Sequence, residues 1–215
     1  EDTLRVSLRM GESAIVIGEV RGAEAKVLYE SMRAGSAGSS VLGTIHGNSA
    51  SGVLDRAVED LGGSERAFSS TDIVVVIGLM RTPDGSTFQR KVVEVSEVRH
   101  EKGETTLAAL FSLQPGCSCA TPTDAFSPES KTIRGIAGAL GVSPAQVMDI
   151  IRTRAHSDQR MAADISARRT VGGAAHDELR VASNEVLVKG LFAAVGPDAA
   201  LRKWEEWYGK RTGDE

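Results

Sequence analysis

Two polar residues, each standing directly after an apolar run, carry the first chemical signal in this chain. Ala14-Ile15-Val16-Ile17-Gly18 is a short continuous apolar run closed by glycine, and Glu19 follows it, ahead of Val20-Arg21-Gly22. A run of that kind predicts a buried parallel strand. In open α/β sheets, ligands gather beyond the carboxyl ends of the strands. A carboxylate there can hold Mg²⁺ through water, or orient the water that attacks a γ-phosphate. It can equally be a surface or capping carboxylate. The second signal closes the next apolar run, where Val41-Leu42-Gly43-Thr44-Ile45 leads into His46-Gly47-Asn48-Ser49-Ala50. An imidazole at that strand end could hydrogen-bond a phosphate or the Glu19 carboxylate, or simply cap a helix or pack in a loop. The two cysteines, Cys117 and Cys119, form a C-x-C pair. Such a pair cannot complete a four-ligand zinc site by itself, so it is either two reduced loop thiols or half of a shared metal site.

These residues need elements to place them. Residues 22–33 read as a helix with Ala25, Leu28, Tyr29 and Met32 on one face, followed by a Gly/Ser loop over 35–40. Ser49 or Ser51 can cap a helix running to Leu61, stopped by Gly62-Gly63. Thr71 to Leu79 is the most apolar strand. Pro83-Asp84-Gly85 is a turn, Gln89 to Val98 alternates as a half-exposed strand does, and Thr105 to Phe111 is a third strand. Strand–helix–strand–helix–strand predicts an α/β sheet with parallel strands, the hairpins extending one edge. Residues 114–128 hold three of the six prolines and read as a linker. Beyond them the pattern is helical over 129–140, 144–169, 177–195 and 197–208, with a break at Gly172-Gly173. Trp204 shares a face of the last helix with Trp207 or Tyr208, as expected for packing onto a helical region.

Composition narrows the classes. At 215 residues, 41% hydrophobic and 25% charged, collagen-like, disordered and disulfide-scaffold classes are excluded. No apolar run approaches the roughly 20 residues of a membrane helix. The net charge is −4, and it is uneven. Residues 1–112 hold 12 Lys/Arg against 16 Asp/Glu, whereas residues 113–215 hold 13 of each. A helix-turn-helix pattern spans 136–152, with Gly141 ending one helix, Ser143 capping the next and Pro144 at its first position. DNA readers place the second helix in the major groove. Here it has no Arg or Lys before Arg152, and the region is charge-neutral, so nucleic acid is disfavoured. Arg152, Arg154, Arg160, Arg168 and Arg169 form either a basic strip or a solvated charged face.

Taken together, Gly18-Glu19-Val20-Arg21-Gly22-Ala23-Glu24-Ala25 and Gly43-Thr44-Ile45-His46-Gly47-Asn48-Ser49-Ala50 resemble the secretion-system ATPase superfamily of type II and type IV secretion. That superfamily includes the pilus and archaellum motors, and the wording is most similar to the type IV and archaeal branches. The resemblance covers residues 4–112 and includes Leu8-Arg9-Met10, the segment 51–62 and Thr71 to Val76. It implies the C-terminal half of a RecA-like P-loop NTPase core over 1–113 with an edge β-meander, a linker at 114–128 and a helical region over 129–215. Gly18 and Glu19 match the Walker B position, Glu19 being the catalytic or Mg²⁺-linked carboxylate. His46 matches the histidine of the His box, thought to sense the γ-phosphate. Arg9, Arg21 and Arg56 match arginines beside these motifs, with ion pairing as the alternative role of each.

One element of the family is missing. The sequence holds no G-x-x-x-x-G-K-[ST] loop, so it lacks a backbone nest and lysine for the β/γ-phosphates. The chain begins at Glu1 rather than Met, and the expectation is that a phosphate-binding half lies upstream. By resemblance the whole protein uses ATP and Mg²⁺, forms a hexameric ring at the cytoplasmic face of the membrane, meets a polytopic membrane platform, and powers secretion or filament assembly. This chain alone should then be inactive. The alternatives are a DNA-binding or DNA-transfer protein and a non-catalytic assembly subunit.

Overall fold

The computed structural model describes residues 14–22, 24–34, 40–82, 84–167, 173–192 and 196–212. Arg9, Glu1-Asp2, most of the Gly/Ser loop and Arg168-Arg169 lie outside them. The chain divides into two compact units, residues 1–132 and 133–215.

In the first unit, β1 (Ala14–Ile17) leads to helix α1 (Glu24–Ala34) and then to β2 (Ser40–Gly43). The two strands pair in parallel, from Ala14 opposite Ser40 to Ile17 opposite Gly43. Helix α2 (Ala50–Asp55) follows and continues as a π-helical segment, Arg56–Asp60. A short helix, α3 (Glu65–Phe68), is capped by Ser64, whose hydroxyl accepts from Ala67 N at 3.1 Å. Next comes an antiparallel sheet of β3 (Ile73–Arg81), β4 (Phe88–Glu101), β5 (Glu104–Ser112) and the two-residue β6 (Thr121–Pro122). Register slips at Val76/Ile77 between β3 and β4, and at Val95/Ser96 between β4 and β5. One core gathers Val20, Leu28, Tyr29, Ala50, Val53, Phe68, Val74, Val76 and Val98.

Two expectations change here. The strand at 71–79 does not continue a parallel sheet. Among the described residues β3 pairs only with β4, and the two sheets are separate. Nor are the apolar runs covered on both faces. Ile15, Val74 and Val76 are buried, but Val16 is 68% exposed, Leu42 62%, Val75 53% and Ile77 61%. A continuous apolar run implies cover on both sides of a sheet. The described residues cover one side.

The second unit is helical, built on α4 (Lys131–Leu140), α5 (Pro144–Ala167), α6 (Gly173–Phe192) and α7 (Pro197–Thr212). The turn after α4 is closed by Gly141 at φ 66°, where the left-handed region favours glycine. Ser143 and Gln146 then cap α5 reciprocally, Gln146 N donating to Ser143 Oγ at 3.2 Å and Ser143 N to Gln146 Oε1 at 2.8 Å. Trp204 and Tyr208 are buried and stacked at 4.8 Å, and the Trp204 indole donates to Ser183 Oγ at 2.7 Å. The expected basic strip is partly engaged: Arg152 pairs with Asp149, Arg154 donates to Asn184, and Arg160 lies over the Tyr208 ring. Among the described residues no helix is long and apolar enough to cross a membrane.

Candidate active site

Because β1 and β2 run parallel in matched register, both end at the same level. The two segments singled out by their residue types leave the sheet there side by side. The alternation of β1 breaks at its end: Ile15 and Val20 are both buried although five residues apart, so the chain turns after Gly18, and Val20 is flanked by half-buried Glu19 and exposed Arg21. Thr44 binds the two exits together. Its amide donates to Ile17 O at 3.3 Å, its carbonyl accepts from Val20 N at 2.8 Å, and its hydroxyl donates to Gly18 O. Glu24 then fixes the chain beyond, its Oε1 accepting from Arg21 N at 2.6 Å and Gly22 N at 3.0 Å. Those two amides precede α1, where a carboxylate offsets otherwise unpaired donors.

At the shared strand end, Glu19 Oε1 lies 2.5 Å from Arg21 Nε and 2.7 Å from His46 Nε2. Arg21 and His46 are about 70% exposed and Glu19 34%, so a ligand can reach the cluster from outside. The Arg21 guanidinium chiefly, with His46 behind it, holds the Glu19 carboxyl below the usual carboxylate range, against a weaker push upward from partial burial. Glu19 is therefore an anion at neutral pH. Its Oε1 atom is enclosed between these two neighbours, so a water or a metal-bound water reaches Glu19 only through the exposed part of its side chain.

His46 also borders a second space. With Gly47, Asn48, Gly52, Asp55, Arg56, Glu59 and Asp60 it lines a pocket of about 310 Å³. Arg56 begins the π-helical segment, and its Nε is buried without a hydrogen-bond partner among the described residues. The structure therefore brings Glu19, Arg21 and His46 into direct contact and sets Arg56 near His46 through a shared pocket. Gly18 contributes its carbonyl to Thr44, and a Cβ added there would meet nothing. Cys117 and Cys119 are exposed and free, and among the described residues no cluster of three or more metal-ligating side chains exists.

A family profile decides the identity of this unit. The description "Type II/IV secretion system protein" matches residues 1–125. The chain belongs to that family. Among curated relatives, proteins of two Mycobacterium tuberculosis strains, each provisionally named a conjugal transfer protein, are 30% identical over 118 residues, 54% of this chain and 33% of theirs. An uncharacterized protein of Methanocaldococcus jannaschii is 26% identical over 156 residues, 72% of this chain and 55% of its own. The matched stretch thus spans between a third and about half of those relatives' length.

Two residues near this family's motifs escaped sequence reasoning. Glu94 and Glu97, three apart on β4, face opposite sides of the sheet, since Glu94 opposes Val76 and Glu97 opposes Ile73. Glu97 is fully buried, and both its oxygens accept hydrogen bonds, from Arg99 Nε, Lys131 N, Ser130 Oγ and Thr132 N. Glu94 reaches Ala50 N at 3.1 Å. The odd spacing was the available signal: in a strand it cannot put both carboxylates on one solvated face.

Proposed function

We propose that this chain is the C-terminal part of a secretion-family ATPase, and that its Glu19–Arg21–His46 cluster serves ATP hydrolysis in the whole protein. The observation that carries this proposal is the contact of Glu19 with His46 at adjacent ends of two parallel strands. Glu19, kept anionic, accepts a hydrogen bond from the attacking water and orients it for in-line attack. His46 Nε2–H can exchange its Glu19 contact for a γ-phosphate oxygen, so the imidazole senses whether that group is present. Arg21 balances the charge of Glu19 and sets its direction. Mg²⁺ is held by one or two carboxylates together with substrate phosphates; Glu19, whose side chain is 34% exposed, fits one such contact through water. Bound there, the ion would neutralise developing phosphate charge.

The two sheets suggest how the rest of the core attaches. One edge of β2 and one edge of β3 have no strand partner among the described residues, and both strands line a single cleft of about 650 Å³. A strand from an upstream RecA-like half, carrying the phosphate loop, would pair with both edges, while its helices would cover Val16, Leu42, Val75 and Ile77. The energy would drive secretion or filament assembly at the cytoplasmic face of a membrane, by a homo-oligomeric ring against a membrane platform. The conjugal-transfer naming of the mycobacterial relatives favours a second use, transport of DNA by the same engine.

The test is ATP turnover by the protein carrying both halves. Glu19→Gln should lower kcat by about 10²–10⁴-fold with little change in ATP affinity, the range for loss of a positioned general base. Unchanged turnover would sink the assignment of Glu19. For the second use, DNA binding should fall steeply with salt; absence of binding at low salt removes it.

A further inference from the structure

We propose that Glu94 is a positioning residue for His46, holding the far end of the His46 segment against the sheet so that the imidazole meets Glu19; this rests on the role given to that pair above. The His46 ring is itself exposed and has only the Glu19 contact among its described polar interactions. Its location is therefore set by what holds the backbone on either side. On one side Thr44 fastens the segment to the end of β1. On the other, the helix α2 begins at Ala50, which is fully buried. Ser49 caps that helix, its Oγ accepting from Gly52 N at 3.0 Å, but the Ser49 cap leaves the Ala50 amide unpaired.

Glu94 fills that gap from 44 residues away. Its Oε2 accepts from Ala50 N at 3.1 Å, and its Oε1 accepts from Ser96 Oγ at 2.6 Å, which fixes the carboxylate's direction. The strand register places Glu94 opposite Val76, on the face of the sheet that meets the core. Between the two anchors, Ile45 packs against that core and Gly47 has no room for a side chain, since a Cβ would stand 2.5 Å from Val53 Cγ2. The span 45–49 thus has one fixed path, and Glu94 supplies the hydrogen bond that ties its far end, at Ala50, to β4.

The experiment uses the 215-residue chain without nucleotide and reads the contact between the His46 ring and the Glu19 side chain by nuclear Overhauser NMR, with the Ala50 amide shift reporting on its hydrogen bond to Glu94. The parent chain should show the His46–Glu19 contact. In Glu94→Ala the imidazole drifts away and the contact should be lost. Glu94→Gln should restore it, as its amide oxygen can still accept from Ala50 N while its NH₂ donates to Ser96 Oγ. Glu94→Asp keeps the charge but shortens the reach, and should lose the contact; it serves if the alanine variant does not fold. A Glu94→Ala or Glu94→Asp chain that keeps the full His46–Glu19 contact overturns the proposal, as does a Glu94→Gln chain that loses it. Since no ATP is involved, this outcome is separate from the turnover test of Glu19 itself.

Discussion

Replacing Glu97 by glutamine takes one negative charge out of a site with no exposed surface. The carboxylate lies beneath residues 130–132, where Ser130 Oγ donates to Oε2 at 2.6 Å, Thr132 N to Oε2 at 3.0 Å, and Arg99 Nε to Oε1 at 2.6 Å. Burial pushes this carboxyl up, but Ser130, the Thr132 amide and Arg99 together outweigh it and bring it from 4.5 down to about 2. At about 1.4 kcal/mol per pH unit, that drop is worth roughly 3 kcal/mol of folding stability. The folded-state value lies below the unfolded one. The stabilisation is therefore complete above about pH 5 and is lost as pH falls toward 2, with about 2 kcal/mol already gone at pH 3. Glutamine keeps the volume, but at either oxygen position its NH₂ faces an N–H that can only donate, Arg99 Nε and Lys131 N at one and Thr132 N at the other, leaving Ser130 Oγ as the single group able to turn and accept. Urea unfolding of Glu97→Gln, followed by far-ultraviolet circular dichroism, should show a deficit of about 3 kcal/mol at pH 7. The deficit should narrow to about 1 kcal/mol at pH 3. A deficit below about 0.5 kcal/mol at pH 7, or one that does not narrow with acid, would refute the reasoning, since surface substitutions alone reach that size.

Four further outcomes follow from the geometry. Gly47→Ala puts a methyl group 2.5 Å from Val53 Cγ2 and should cost about 1–3 kcal/mol by overpacking, read as a lower Tm. Gly63→Ala meets the Ala57 carbonyl at 2.7 Å, a backbone atom that cannot swing aside. It should break the Gly63 N to Ala57 O bond and expose amides of the segment 56–60 to hydrogen exchange. Trp204→Phe removes the buried indole donor from Ser183 and should destabilise the helical unit by about 1–3 kcal/mol, measured by the thermal transition. In a protein carrying both halves, amides of β2 and β3 should gain protection from hydrogen exchange relative to this chain; equal exchange in both would count against a strand joining the two edges.

Much of the site was legible because its signals are local. An apolar run closed by a polar residue marks a strand end, and two such runs with a helix between them must lie parallel and level. Glu19 and His46 were therefore placed together by pattern alone, and the parallel pairing of β1 with β2 bears this out. The helix boundaries at Gly141 and Ser143 were legible for the same reason, since caps act within one turn. What the sequence left unread is long-range. Nothing in Thr71 to Leu79 tells a central parallel strand from the edge of an antiparallel hairpin, because both need the same β-branched residues. The π-helical turn at Arg56–Asp60 reads as ordinary helix, and α3 has only four residues, too few to show a period. Glu94 and Glu97 read as solvated charges until their partners, 44 residues before the one and 33 to 35 after the other, are brought alongside.

The edges of β2 and β3 that have no strand partner among the described residues bear on how the chain behaves by itself. A strand edge with free amides and carbonyls is a template for any other strand, and proteins usually blunt it with lysine, proline or a bulge. The register slip at Val76/Ile77 leaves its extra residue, Val93, on β4, and β3 from Ile73 to Leu79 holds no charge and no proline, with Ile77 and Leu79 exposed. That stretch has the composition of an aggregating segment. Produced alone, the chain should form edge-to-edge oligomers with rising concentration, and a lysine at Ile77 should keep it dispersed in solution.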